Sequence, residues 1–281
     1  MWLVAMHLFL AFQSNFYERG LKAMEEQRYQ QAVDDFTNAI AAEPKDYALH
    51  FNLALAYSLL NRDTEGIAEY KKALELKPDL YQAQLNLGIL LLRQKQPAEA
   101  TAPLEGAVGQ KPKEFRPNYY LAEALLGSGD AAKAEAIYRT CLEVDPKSAA
   151  AESGLARSMV KQNRVGEAGP HFRNAAELDP QYRNGLLELA GLLEESQPDD
   201  AIAIYRQFPE NAAAQERAGA LLIKQGKAKD AVASLEDAVA KSPTVANKAA
   251  LATAYLRSKQ KDKAFPIVAE LLKEQPDDFE L

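Results

Sequence analysis

Residues 112–146 read PKEFRPNYYLAEALLGSGDAAKAEAIYRTCLEVDP. The stretch begins and ends on a proline, 34 residues apart, with the polar turn GSGD near its middle. Before the turn, Leu121, Ala122 and Leu125 fall on one face of a helix; after it, Ala134, Tyr138 and Cys141 do the same, at spacings of four and three. Gly in the turn tolerates left-handed dihedrals. A proline has no backbone N–H and disfavours helix at the residue before it, so each one ends a helix and spaces the next. The stretch is therefore a helical hairpin between two prolines.

The same reading extends outward. Pro44, Pro78, Pro112, Pro146 and Pro180 follow one another at 34 residues, in the phrases AAEPKD, ELKPDL, GQKPKE, EVDPKS and ELDPQY. Pro209 comes 29 residues later, Pro243 another 34 and Pro276 another 33. A fixed period in this range is the mark of a repeat array. Leu53, Ala54 and Tyr57, then Leu87, Gly88 and Leu91, then Leu155, Ala156 and Met159 occupy the first-helix places. Ala32, Phe36 and Ala39, and Ala168, Phe172 and Ala175, occupy the second-helix places. Small residues let two antiparallel helices approach closely, and the aromatic fills the gap above them.

This pattern of period, Leu-small-x2-Tyr, Ala-x3-Phe-x2-Ala and closing Pro resembles the tetratricopeptide repeat. The resemblance implies an all-α, right-handed superhelical solenoid of about eight hairpins, assigned to 13–46, 47–80, 81–114, 115–148, 149–182, a short 183–211, 212–244 and 245–278, with 279–281 opening a truncated ninth repeat. The early Trp of the family is replaced by Phe16, His50, Gln84 and Asn118. Two irregularities carry expectations. The sixth repeat has 29 residues and places bulky Phe208 where others carry Ala, which predicts a bend or altered twist beside it. Pro103, Pro170 and Pro266 lie inside second helices, where each should cost a backbone bond and kink its helix.

Residues 1–12, MWLVAMHLFLAF, are apolar on all sides. The segment is shorter than the ~20 residues that span a bilayer. It reads as the remnant of an export signal, as a structural helix covering repeat 1, or as a vector-derived run or a mimic of a groove ligand. Cytoplasmic and periplasmic or envelope locations both stay open, and the Ala-rich repeats look bacterial. The PDDFEL end reads as an unfinished repeat, so a truncated chain is the expectation there.

Composition narrows function. The 281 residues carry 40 Asp plus Glu against 33 Lys plus Arg, a net charge of -7, which argues against nucleic acid as partner. One Cys and three His leave little material for a disulfide framework or a metal site. No phosphate loop, HExxH or nucleophile elbow is present. Ser158 and Lys161 form an SxxK pair read as solvent-side residues, and Cys141 as a buried, inert thiol. No catalytic residue, cofactor or metal is expected.

The resemblance implies that first helices line a concave groove. Its places there hold Tyr17, Phe51, Asn52, Leu55, Leu59, Leu85, Asn86, Ile89, Arg93, Arg116, Tyr119 and Tyr120 in the first half, against mainly short or charged groups such as Arg157, Lys161, Glu188, Glu194 and Arg217 in the second. An exposed apolar strip marks a binding site, and aromatic plus Arg anchors are typical of one. Asn52 and Asn86 hold one place in consecutive repeats, which resembles the asparagine ladder that pairs with the backbone of extended peptides in this family. The expectation is a non-enzymatic scaffold binding a protein or peptide segment, without a membrane span. Rival readings are the targeting part of a larger enzyme such as a glycosyltransferase, and a homo-oligomer assembled through uncapped ends.

Overall fold

The computed structural model describes residues 16–274, so the calls made on residues 1–12 and 279–281 lie outside the described residues. Among the described residues the regular structure is helical throughout. The chain forms two compact units, the first ending at Gln162 and the second beginning at Asn163. The first holds α1 (16–25), α2 (Tyr29–Ala42), α3 (Tyr47–Leu59), α4 (Asp63–Leu76), α5 (Tyr81–Arg93), α6 (Pro97–Gln110), α7 (Phe115–Gly127), α8 (Ala131–Val144) and α9 (Ala149–Lys161). From α2 to α9 each helix packs on its neighbours in sequence, and α5, α7 and α9 also touch one another in that order.

The hairpins close by a common device. Gln27, Asn61, Lys95 and Gly129, 34 residues apart, all take left-handed φ values, of 57°, 58°, 58° and 95°. Each ends a first helix at the point where an L residue is strained and glycine is not. The next hairpin starts after a proline, and caps help it to start. Asp46 accepts from the N–H of Ala48 at 2.8 Å, and the Ser148 hydroxyl accepts from Ala151 at 3.2 Å.

The residues standing where the family carries Trp turn out to be a polar clasp. His50 Nε2 lies 3.1 Å from the Pro44 carbonyl, Gln84 Nε2 donates to that of Pro78 at 2.8 Å, and Asn118 Nδ2 donates to that of Pro112 at 2.9 Å. All three reach back six residues to satisfy a turn carbonyl that the broken helix has left without a partner. His50 is buried, and its other ring nitrogen meets Glu69 at 2.6 Å.

The core is the set of triplets. Phe36, Tyr138 and Phe172 are fully buried with their flanking Ala32, Ala39, Ala134, Cys141, Ala168 and Ala175. The small residues beneath are obligatory in places. A Cβ on Gly88 would stand 2.3 Å from Leu104 Cγ, and one on Gly154 would stand 2.2 Å from Tyr138 Cζ. Burial pushes the Cys141 thiol up to about 12, as befits an unreactive core residue. Ser158 corrects one expectation. It is buried, not solvent-side, and donates to the Gly154 carbonyl at 2.9 Å, while Lys161 is exposed.

The second unit holds α10 (Val165–Leu178), the single turn η1 (Pro180–Tyr182), α11 (Asn184–Leu193), α12 (Pro198–Tyr205), α13 (Ala212–Lys224), α14 (Ala228–Lys241), α15 (Val245–Arg257) and α16 (Lys261–Glu274). Here α11 has 10 residues and α12 only 8, against 13 and 14 in α13 and α14. Phe208 is buried just past the end of α12, and its carbonyl accepts from Gln215 Nε2 at 3.1 Å. Pro103, Pro170 and Pro266 lie inside α6, α10 and α16, each of which continues through its proline as a single 14-residue helix.

Candidate functional site

The site begins with three neighbouring first helices of the first unit, α3, α5 and α7. Their apolar periodicity is broader than one buried stripe requires, so residues remain on the side away from α4 and α6. Between them opens a cavity of about 160 Å³, lined by Leu55, Ser58 and Leu59 of α3, Tyr70 of α4, Asn86, Ile89, Leu90 and Arg93 of α5, and Arg116 of α7. Leu59 is 46% exposed, a large apolar side chain left in water at the rim.

Polar groups are fixed at defined points. Asn86 Nδ2 donates to the Tyr70 hydroxyl at 3.1 Å, leaving its carbonyl oxygen as an acceptor at the cavity. Burial pushes the Tyr70 phenol up, so the ring stays neutral. Arg93 is tied to Asp63 at 3.1 Å and to the Asn61 side chain at 2.9 Å. The Arg116 guanidinium stands 6.0 Å over the Tyr120 ring and has no carboxylate partner among the described residues. It is the cation left over for a ligand.

Beside the cavity, α7 carries an aromatic cluster. Tyr119 stacks on Phe115 at 5.8 Å, meets Tyr120 edge-on at 5.5 Å and touches Tyr138 at 6.3 Å. The Tyr138 hydroxyl is bonded to Glu123, and burial, followed by that carboxylate's charge, pushes the phenol far up. Tyr119 and Tyr120 are half-buried, and their outer edges face water.

Of the residues expected to line a groove, the structure gathers Leu55, Leu59, Asn86, Ile89, Arg93 and Arg116 around one cavity. Leu85 is corrected: it is 5% exposed, packed into the core and not on the open side. Tyr17 packs on Phe36 at 6.2 Å and Phe51 on Tyr70 at 5.8 Å, so both rings share their surface with the interior. Asn52 Nδ2 donates to the Ala48 carbonyl at 2.9 Å, whereas Asn86 turns to Tyr70, so the two amides do not present alike. Sequence reasoning missed Ser58, Tyr70 and Leu90. The available signal was Tyr70, a phenol in an otherwise apolar place, whose hydroxyl had to find a partner.

Among the described residues no group of three or more His, Cys, Asp or Glu could hold a metal, and no helix is long and apolar enough to cross a membrane.

Models of the tetratricopeptide repeat match residues 17–81, 66–115 and 191–246, and a second model of the same repeat matches 91–158, 125–169 and 222–281. The chain belongs to the tetratricopeptide repeat family. A search of curated proteins gives no sequence match. Solved structures similar to this tetratricopeptide chain include MamA 41-end from Desulfovibrio magneticus RS-1, 21% identical over 60% of this chain and 96% of that one, with a TM-score of 0.55. MamA MSR-1 is 22% identical over 60% and 97% at a TM-score of 0.55, and MamA AMB-1 24% over 60% and 93% at 0.56. At these identities the likeness is one of fold, the solenoid of tetratricopeptide hairpins. Such repeats make the chain an interaction scaffold in general terms.

Proposed function

We propose that this protein is a non-enzymatic scaffold which holds an extended or helical segment of another protein against α3, α5 and α7. The observation that carries the reading is the apolar cavity with exposed Leu59 on its rim and the unpaired Arg116 guanidinium beside it. A folded chain gains nothing from leaving that combination in water, whereas a partner's apolar side chain and a carboxylate or backbone carbonyl would satisfy both. Asn86 supplies an acceptor for a backbone N–H, and Tyr119 and Tyr120 extend the contact along α7.

The test is affinity capture from the native host with mass spectrometry, comparing the wild-type chain with the double variant Leu59→Glu, Arg116→Glu. Both side chains are at least partly exposed, so circular dichroism should be unchanged. Recovery of a specific partner should drop at least about tenfold, the scale of losing a hot-spot contact. Equal recovery by both chains overturns the reading.

A further inference from the structure

The short hairpin α11–α12 leaves space that no other part of its unit fills. At the end where α12 stops, a cavity of about 310 Å³ is lined by Arg173, Ala176 and Glu177 of α10, Arg183 and Leu186 at the start of α11, and Ile204 and Gln207 at the end of α12. Its floor is apolar, because Leu186 and Ile204 are core residues, at 7% and 4% exposure. Its rim carries two guanidinium groups against one carboxylate. Arg183 is held rigidly: it lies 4.6 Å over the Phe208 ring and donates to the Gln207 carbonyl. Arg173 is exposed and makes no hydrogen bond or ion pair with any described residue.

The regular hairpin that follows shows what is missing. There α14 runs for 14 residues, and its later turns bury Leu235 and Ala238 completely. With 8 residues, α12 ends before that turn and a half, and the irregular segment through Phe208 does not replace it. The vacant volume is thus shaped by the fold for a piece of helix, with cations where a helix of the chain itself would have brought its own surface charge.

We propose that this cavity binds a short helical segment of a protein partner, bearing an apolar side chain that reaches Leu186 and Ile204 and a carboxylate that pairs with Arg173 and Arg183. The excess of positive over negative charge selects an acidic segment, and Arg183, already ordered by Phe208 and Gln207, loses little freedom on binding. All the lining residues belong to the second unit, so the site is independent of the α3–α5–α7 face.

The probe is a capped peptide with the sequence of residues 232–241, VASLEDAVAK, which copies the turn that α12 lacks and carries Leu, Glu and Asp. It is titrated into the full chain and followed by NMR. Saturable shifts are expected at Ala176, Leu186 and Ile204 and at the Arg173 side chain. Replacing the peptide's Glu and Asp by Gln and Asn should weaken binding about fivefold to tenfold, and Arg173→Ala in the protein should do the same, as loss of a charge-assisted bond does. Ala176→Trp, which fills the cavity, should abolish binding while the thermal melt of the variant stays intact. Glutarate at the same concentration tests a free dicarboxylate as the source: it should shift Arg173 weakly or not at all. The inference is overturned by absent or unsaturable shifts at about 2 mM peptide, well inside the range expected for even a weak site. Shifts that map elsewhere, equal binding of the amide peptide, or glutarate binding as tightly as the peptide overturn it as well.

Discussion

The two units use one hairpin and differ in how strictly they repeat it. From α3 to α9 the first unit alternates helices of 13 and 14 residues, with the left-handed closing residue recurring every 34. The second unit interrupts the rhythm with helices of 10 and 8 residues before resuming it. The deletion is absorbed by substitution of partners. Where Gln84 and Asn118 reach back six residues to a proline carbonyl, Gln215 reaches the carbonyls of Phe208 and Tyr205, and Asn247 that of Ser242 at 2.8 Å. The lesson is that the turn carbonyl must be satisfied; which residue does it, and from what distance along the chain, is negotiable.

That contrast can be broken experimentally. Phe208→Ala removes the side chain that closes the short hairpin and should cost about 3–4 kcal/mol in the stability of that unit. Hydrogen exchange should then accelerate in α11 to α13 and stay unchanged in α3 to α7; uniform acceleration would show that the irregular hairpin is no local accommodation. In the first unit Gly154→Val drives a side chain into the Tyr138 ring and should cost about 1–3 kcal/mol, read as a lower midpoint in urea.

A smaller pair of changes compares the turns. Lys95 holds φ 58° against its preference, and Gly226 holds φ 76° without strain. Lys95→Gly should stabilise by about 0.5–1 kcal/mol and Gly226→Ala destabilise by about 1 kcal/mol, in the same denaturant assay. Tyr81 in the first unit and Tyr255 in the second are both pushed up to about 12, by burial first and then by the bonded Glu114 and Glu236. A phenol that holds its proton more tightly when folded contributes stability fully below the ordinary value of about 10 and loses it as pH rises toward 12. Denaturation should therefore become easier across that alkaline window in both units, with tyrosinate absorbance appearing at the unfolding step. The smallest effect is expected from Lys227→Ala, whose partner Asp199 is exposed; its melt should move by less than about 0.5 kcal/mol.

Much of this architecture was legible in the residues. Prolines at a fixed period and the triplet around Tyr138 are local, repeated signals, and repetition makes each one confirm the others. The cavity was legible only in part. Leu55, Asn86, Ile89 and Arg116 sit at places the hairpin geometry turns outward, but Leu85, one residue before Asn86, was misread because a helix face that borders two neighbours is wider than its periodicity suggests. The Asn52 and Asn86 side chains could not be told apart from sequence, since the choice between the Ala48 carbonyl and the Tyr70 hydroxyl depends on what the next hairpin offers. The cavity beside α12 was signalled only by a missing length, and a deletion does not say which residues will face the gap.

The recess at Gly154 has a consequence for modularity. It belongs to α9 and receives Tyr138 from the preceding hairpin, just as Gly185 in the second unit receives Phe172 from the hairpin before it. By contrast Gly20, Gly88 and Gly219 take a side chain from their own hairpin. The repeats are thus keyed to their neighbours as well as to themselves, and their order along the chain is a specified property. Shuffling or duplicating hairpins would preserve every consensus position and still set ring against backbone at the new joints. This array is interchangeable in its pattern but not in its pieces.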